Sequence, residues 1–80
     1  YWKNQQQEEV DFVIKEGNNI KELIQVCYDI KNSETKKREI RAVLKAGKEL
    51  KCKNLKIITW DYDNTEEGVQ FLQLGRYLNN

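Results

Sequence analysis

The sequence predicts a mixed α/β (α+β) domain whose elements run β-β-β-α-β-β, and three stretches predict it. "EVDFVIKEGNNIKELIQVCYDI" alternates apolar and polar residues on either side of a glycine-asparagine turn, which marks a hairpin. From Glu34 to Leu50, Ile40, Val43, Leu44, Gly47 and Leu50 fall on one helical stripe. "NLKIITW" is apolar on both faces, as a central strand covered from both sides requires.

In chain order, "YWKN" reads as a short first strand and "QQQEE" as a polar turn. In the second strand, "VDFVIK", Val10, Phe12 and Ile14 share one face, while Asp11, Val13 and Lys15 share the other. The third strand is expected over 22–30, with Ile24, Val26, Tyr28 and Ile30 alternating with Leu23, Gln25, Cys27 and Asp29. Asn32 and Ser33 are cap candidates for the helix, and Glu34 complements its dipole. Gly47 lies on the buried stripe although glycine costs about 1 kcal/mol there, which points to close approach by the sheet. "KCKN" ends the helix and "NLKIITW" is the fourth strand. "DYDNTEEG" reads as an acidic loop, "VQFLQL" as the last strand and "GRYLNN" as a terminal helical turn. A helix of roughly 17 residues spans about 25 Å, close to the 23 Å or so of a seven-residue strand. Strands three and four are therefore expected to run parallel in one right-handed crossover, beside an antiparallel meander of strands one to three.

Composition bounds the function. Eighty residues make a single domain over 1–80 with one modest core. A net charge of +1 provides no global attraction to nucleic acid or membrane, so any electrostatic site must be local. The chain has no histidine, which excludes a zinc site of the usual kind and a histidine-based triad. Two cysteines, no signal-like start and no membrane-length apolar run give the expectation of a cytoplasmic chain with free thiols. No methionine occurs, even at position 1, and the expectation is a segment of a longer protein.

A turn centred on Asn18 makes paired residues sum to 36, so that Asp11 faces Gln25, Val10 faces Val26 and Phe12 faces Ile24. A one-residue slip would mix the two faces. Asp11, Gln25 and Cys27 then form a polar row. Two readings of that row stay open: polar side chains that only hydrogen-bond one another, or the remains of a metal site.

"EVDFVI", a hairpin and "LIQVCY", then "REI", "KELK" and "ITWD", resemble the C-terminal region of archaeal AAA-type ATPases, itself similar to the PD-(D/E)XK nuclease superfamily. The resemblance covers nearly all of the chain. It implies a restriction-endonuclease-like fold lacking its N-terminal helix, in a C-terminal fragment of a longer ATPase. In active members, as the resemblance implies, two acids hold a divalent metal and a lysine orients the attacking water and steadies charge on phosphate. Asp11 matches the first acid and metal ligand. Gln25 stands where the second acid belongs, and Cys27 where the lysine belongs. Loss of those charges implies a degenerate module for nucleic-acid binding or protein interaction. The alternatives are an active divalent-metal-dependent nuclease with an altered triad, using Mg2+ if activity is retained, and a purely structural dimerisation module.

Arg38, Arg41, Lys45 and Lys48 recur at helical spacing and could meet phosphates, although neighbouring Glu39 and Glu49 also suit a solvated face. "DYDNTEE" fails as a calcium loop because Glu66 stands where glycine is needed. Trp2, Trp60 and Tyr77 are expected to pack rather than stack on bases. There is no G-x-x-x-x-G-K-[ST] loop, so any ATPase activity would belong elsewhere in a parent chain. The fourth strand's second apolar face needs cover, either from another copy or from the remainder of the ATPase.

Overall fold

One long helix packs across one face of a five-stranded mixed sheet in a computed structural model that describes residues 1–5 and 8–75. A two-stranded antiparallel ribbon, β1 (Trp2–Lys3) and β2 (Glu9–Val10), leads into β3 (Phe12–Glu16) and β4 (Asn19–Val26). Helix α1 (Ser33–Leu50) then returns the chain to β5 (Leu55–Thr59), followed by β6 (Asn64–Glu66) and β7 (Val69–Gln73). The sheet order is β3-β4-β5-β7-β6. β5 is central and parallel to both neighbours, and the two outer pairs are antiparallel. The expected parallel crossover is therefore present as β4–α1–β5.

Local chemistry explains the helix. Asn32 caps it, its side-chain oxygen accepting from the backbone N–H of Glu34 at 2.8 Å and of Thr35 at 3.3 Å. Ile40, Ala42, Val43, Ala46 and Gly47 are buried, and Ile40, Val43 and Ala46 share one core with Leu23, Leu55, Ile57, Val69 and Phe71 from the sheet. A Cβ built on Gly47 would lie 2.8 Å from the backbone oxygen of Cys52 and 2.9 Å from Leu55, so the anticipated close approach is real. The helix ends on Lys51 in the left-handed region (φ 57°), where the N–H of Cys52 donates to the carbonyl of Gly47 at 2.8 Å.

Four expectations need correction. The second strand is not continuous: it breaks at Asp11. Val10 turns inward, fully buried and paired with Trp2 instead of Val26, while Phe12 faces away from the helix and is 52% exposed. The meander of three strands is correspondingly absent, because β1 pairs with β2 in a sheet of its own. The third strand stops at Val26 rather than Ile30, although Ile30 is still buried in the core. The acidic loop contains a strand: Glu67 and Gly68, both at positive φ, turn β6 back onto β7. Thr59 starts this excursion, since its hydroxyl donates to the Tyr62 carbonyl at 2.8 Å and accepts the Tyr62 N–H at 3.0 Å.

The hairpin register holds where it matters. Phe12 pairs with Ile24, Val13 with Leu23 and Ile14 with Glu22, the even register. The turn is tighter than expected, with Glu16 opposite Asn19, and a bulge between Ile14 and Lys15 restores the phase. In the terminal "GRYLNN" segment Gly75 is helical, while Tyr77 and the rest of that turn lie outside the described residues, as does part of the "QQQEE" turn.

Two substitutions at the end of the helix should act in opposite directions. Gly47→Ala adds a methyl against backbone and should lower stability by about 1–2 kcal/mol despite its better helix propensity. Lys51→Gly relieves a left-handed residue and should raise stability by roughly 1 kcal/mol. Thermal or urea unfolding of the two variants checks both signs.

Candidate functional site

The structure brings together Asp11 and Gln25, with Glu39 of α1 as the third member. The N–H of Asp11 donates to Gln25 Oε1 at 2.9 Å, and Asp11 Oδ2 accepts the N–H of Val26 at 3.1 Å. Gln25, buried on the helix side of β4, donates through Nε2 to Glu39 Oε2 at 3.1 Å. At the point where the chain leaves the sheet, two side chains thus replace the ladder hydrogen bonds that a continuous strand would have made. Each such bond contributes about 1 kcal/mol, and an unpaired buried amide would cost more than that.

Cys27 follows on the same side. Its N–H extends the ladder to Ile58 O at 2.9 Å, and its thiol contacts Asp29 O at 3.7 Å. Burial, followed by the nearby Glu39 carboxylate, pushes the thiol pKa up to about 11. The sulfur is therefore a neutral thiol at physiological pH, neither a nucleophile nor a stand-in for a lysine's charge. Both cysteines are unpaired, as expected.

These groups do not fit a divalent cation. One Asp11 oxygen is committed to a backbone amide, Gln25 presents its oxygen to Asp11, and Glu39 is held by Gln25. Among the described residues, no three acids, cysteines or histidines are grouped to hold a metal ion. The acidic segment is likewise dispersed: Asp63 accepts the N–H of Gln73 at 2.9 Å, and Glu66 pairs with Lys36 at 2.5 Å.

Beside the clasp lies an open depression of about 530 Å³, lined by Glu8, Glu9 and Glu39, by Arg38, Arg41 and Lys45, and by Gln25 and Ala42. Three of the four stripe residues named from sequence therefore reach one place, while Lys48 lines a separate depression with Cys52 and Leu55. Arg41 Nε lies 3.2 Å and Lys45 Nζ 2.8 Å from the Glu8 carboxylate, which also accepts from Asn4 Nδ2 at 2.9 Å. Hydrogen bonding from Lys45, then from Asn4, holds the Glu8 pKa down at about 2, well below its ordinary 4.5.

Sequence reasoning missed Glu8 and the part played by Glu39. Glu39 carries a signal, since it falls one turn before the buried Ala42 and Val43 on the flank of the core stripe. Glu8 sits in a generic polar run with nothing to single it out. Trp60 also departs from expectation: it is 61% exposed, with its ring stacked on Tyr28 at 4.8 Å. Trp2 packs as expected, buried and donating its indole N–H to Glu49.

No protein-family model matches the chain, and no solved structure matches it. Over 61 residues, 74% of this chain, the sequence is 54% identical to Uncharacterized protein MJ1544 of Methanocaldococcus jannaschii. The chain spans only 13% of that protein's length. Among the described residues, no helix is long and apolar enough to cross a membrane.

Because the folded Glu8 has a depressed pKa, its contribution is present above pH 4.5 and is lost as pH falls toward about 2. The stability difference between the parent chain and Glu8→Gln should therefore be constant near neutrality and close between those values. Urea unfolding of both proteins across that pH range is the measurement.

Proposed function

We propose that this chain is a degenerate PD-(D/E)XK-like module, restriction-endonuclease-like in fold and part of a longer archaeal ATPase, whose task is to bind protein rather than cut nucleic acid. The observation that carries it is the Asp11–Gln25 clasp. The groups that would serve a metal in an active relative are here spent on backbone amides. A neutral amide and a neutral thiol in place of an acid and a lysine remove the charges that hydrolysis of a phosphodiester needs. Losing one such preorganised group commonly costs on the order of 10²–10³ in rate. The hairpin and the β4–α1–β5 crossover, with Gln25 and Cys27 on the helix side, support the resemblance, as does a relative far longer than the matched segment.

Protein is favoured over nucleic acid by the distribution of charge. Arg41 and Lys45 are engaged by Glu8, and the three bases of the depression face three acids. Such a surface gives little counterion release on a phosphate backbone. In contrast, Phe12 and Ile14 are exposed on the sheet face away from α1, and the exposed Tyr28 and Trp60 stack on each other beyond the ends of β4 and β5.

The chain should not cleave plasmid DNA with Mg2+ or Mn2+, and should not retard DNA in a salt-sensitive manner. Metal-dependent cleavage abolished by Asp11→Ala would establish the working-nuclease alternative. Salt-sensitive retardation weakened by Arg41→Ala and Lys45→Ala would establish nucleic-acid binding instead. The Gln25→Glu, Cys27→Lys double variant, assayed alongside, measures how much of the lost chemistry those two positions restore.

A further inference from the structure

We infer that the depression at the C-terminal end of α1 binds an acidic peptide segment of a partner protein, its carboxylates meeting Lys48, Lys51 and Lys53 and one aliphatic side chain covering the floor between them. This rests on the reading of the chain as a protein-binding module and names the chemistry of the partner.

Three backbone constraints build the site. Lys51, in the left-handed region, stops α1 and turns the chain so that the Cys52 N–H donates to the Gly47 carbonyl at 2.8 Å. The Leu23 N–H donates to the Asn54 carbonyl at 3.0 Å and fixes the outgoing segment against β4. Leu55 pairs with Val69, which brings the Glu67–Gly68 turn beside the end of the helix. The result is an open depression of about 450 Å³ whose floor includes half-buried Leu44 and buried Cys52 and Leu55. Its rim carries the exposed Lys48, Lys51 and Lys53, with Glu67 as the one acid. A site set by hydrogen-bonded backbone loses little freedom when it is filled.

Charge names the occupant. Elsewhere the cations are taken: Arg41 and Lys45 by Glu8, Lys36 by Glu66 and Lys56 by Glu22. Among the described residues, none of the three rim lysines has an ion-pair partner. The rim therefore holds a net of two positive charges on a chain whose total is +1. The negative end of the helix dipole offsets about half a charge, which leaves the site cationic. Exposed ion pairs are individually weak, so the apolar floor has to contribute as well. Nucleic acid would meet the same lysines, but the floor has no aromatic ring on which a base could stack. Cavities for small molecules enclose most of the ligand, whereas this depression is open and seats a side chain of a longer partner.

Titration of this chain with a short synthetic peptide, in which glutamates and aspartates flank one leucine, tests the inference by amide NMR. The signals of Gly47, Leu55 and Gly68 should move, and those of Arg38 and Arg41 should stay. The Lys48→Glu, Lys53→Glu double variant, changed only at exposed positions, should bind about tenfold more weakly or worse, and added salt should weaken the parent chain in the same direction. Glu67→Gln should bind more tightly, Lys37→Glu on the far end of the helix should bind as the parent does, and serine in place of the peptide's leucine should weaken binding several-fold. Unmoved signals, an affinity indifferent to the lysine reversals, or equal binding of the serine peptide overturns this inference and leaves the protein-binding reading intact. A DNA oligonucleotide that binds the same lysines more tightly than the peptide overturns both.

Discussion

The architecture depends on one constraint: the chain must leave the sheet between Val10 and Phe12 without stranding buried backbone groups. A strand that simply ended there would leave the Val26 N–H and the Asp11 N–H without ladder partners, each at a cost of a few kcal/mol. The Asp11 carboxylate and the Gln25 amide take those places. Because they do, Val10 can rotate out of the sheet plane and enter the core beneath α1, together with Trp2. A carboxylate, an amide and a thiol stand in an otherwise ordinary hairpin because the first two manage a change of direction.

The same clasp connects fold to function. A side chain that satisfies buried backbone donors is poorly placed to supply charge to a substrate, so the pieces of a catalytic row can persist in position while their chemistry is used up. Glu39 completes the network by accepting from Gln25, and its proximity, after burial itself, raises the Cys27 pKa. The charges around the neighbouring depression behave similarly. Glu8 engages Arg41 and Lys45, which ties the β1–β2 ribbon to the helix and neutralises a stripe that looks basic when read along the helix alone.

Much of this could be read from residues in order. The cap at Asn32, the buried stripe from Ile40 to Gly47, and the central place of β5 follow from periodicities of 3.6 and 2 that reflect burial directly. The meeting of Asp11 with Gln25 also followed, because only the even register keeps Phe12 opposite Ile24. The strand β6 was not legible. "DNTEE" is polar, and it becomes a strand through pairing with β7, the Thr59 turn and the hold of Lys36 on Glu66, which come from three different parts of the chain. Propensity is a weak guide wherever a strand owes its existence to its neighbours.

What the amino-acid order determined by itself, then, was the set of elements with strong internal pattern, the hairpin register and the identity of the polar row. Tertiary structure alone decided that Val10 and Phe12, two apolar residues of one apparent strand, face opposite environments. It also decided that Glu8 and Glu39 join the site and that Trp60 stands in solvent. Alternation encodes which side chains share a face of a continuous strand. It cannot encode where the strand stops being continuous, because that depends on whether distant side chains satisfy the backbone at the break.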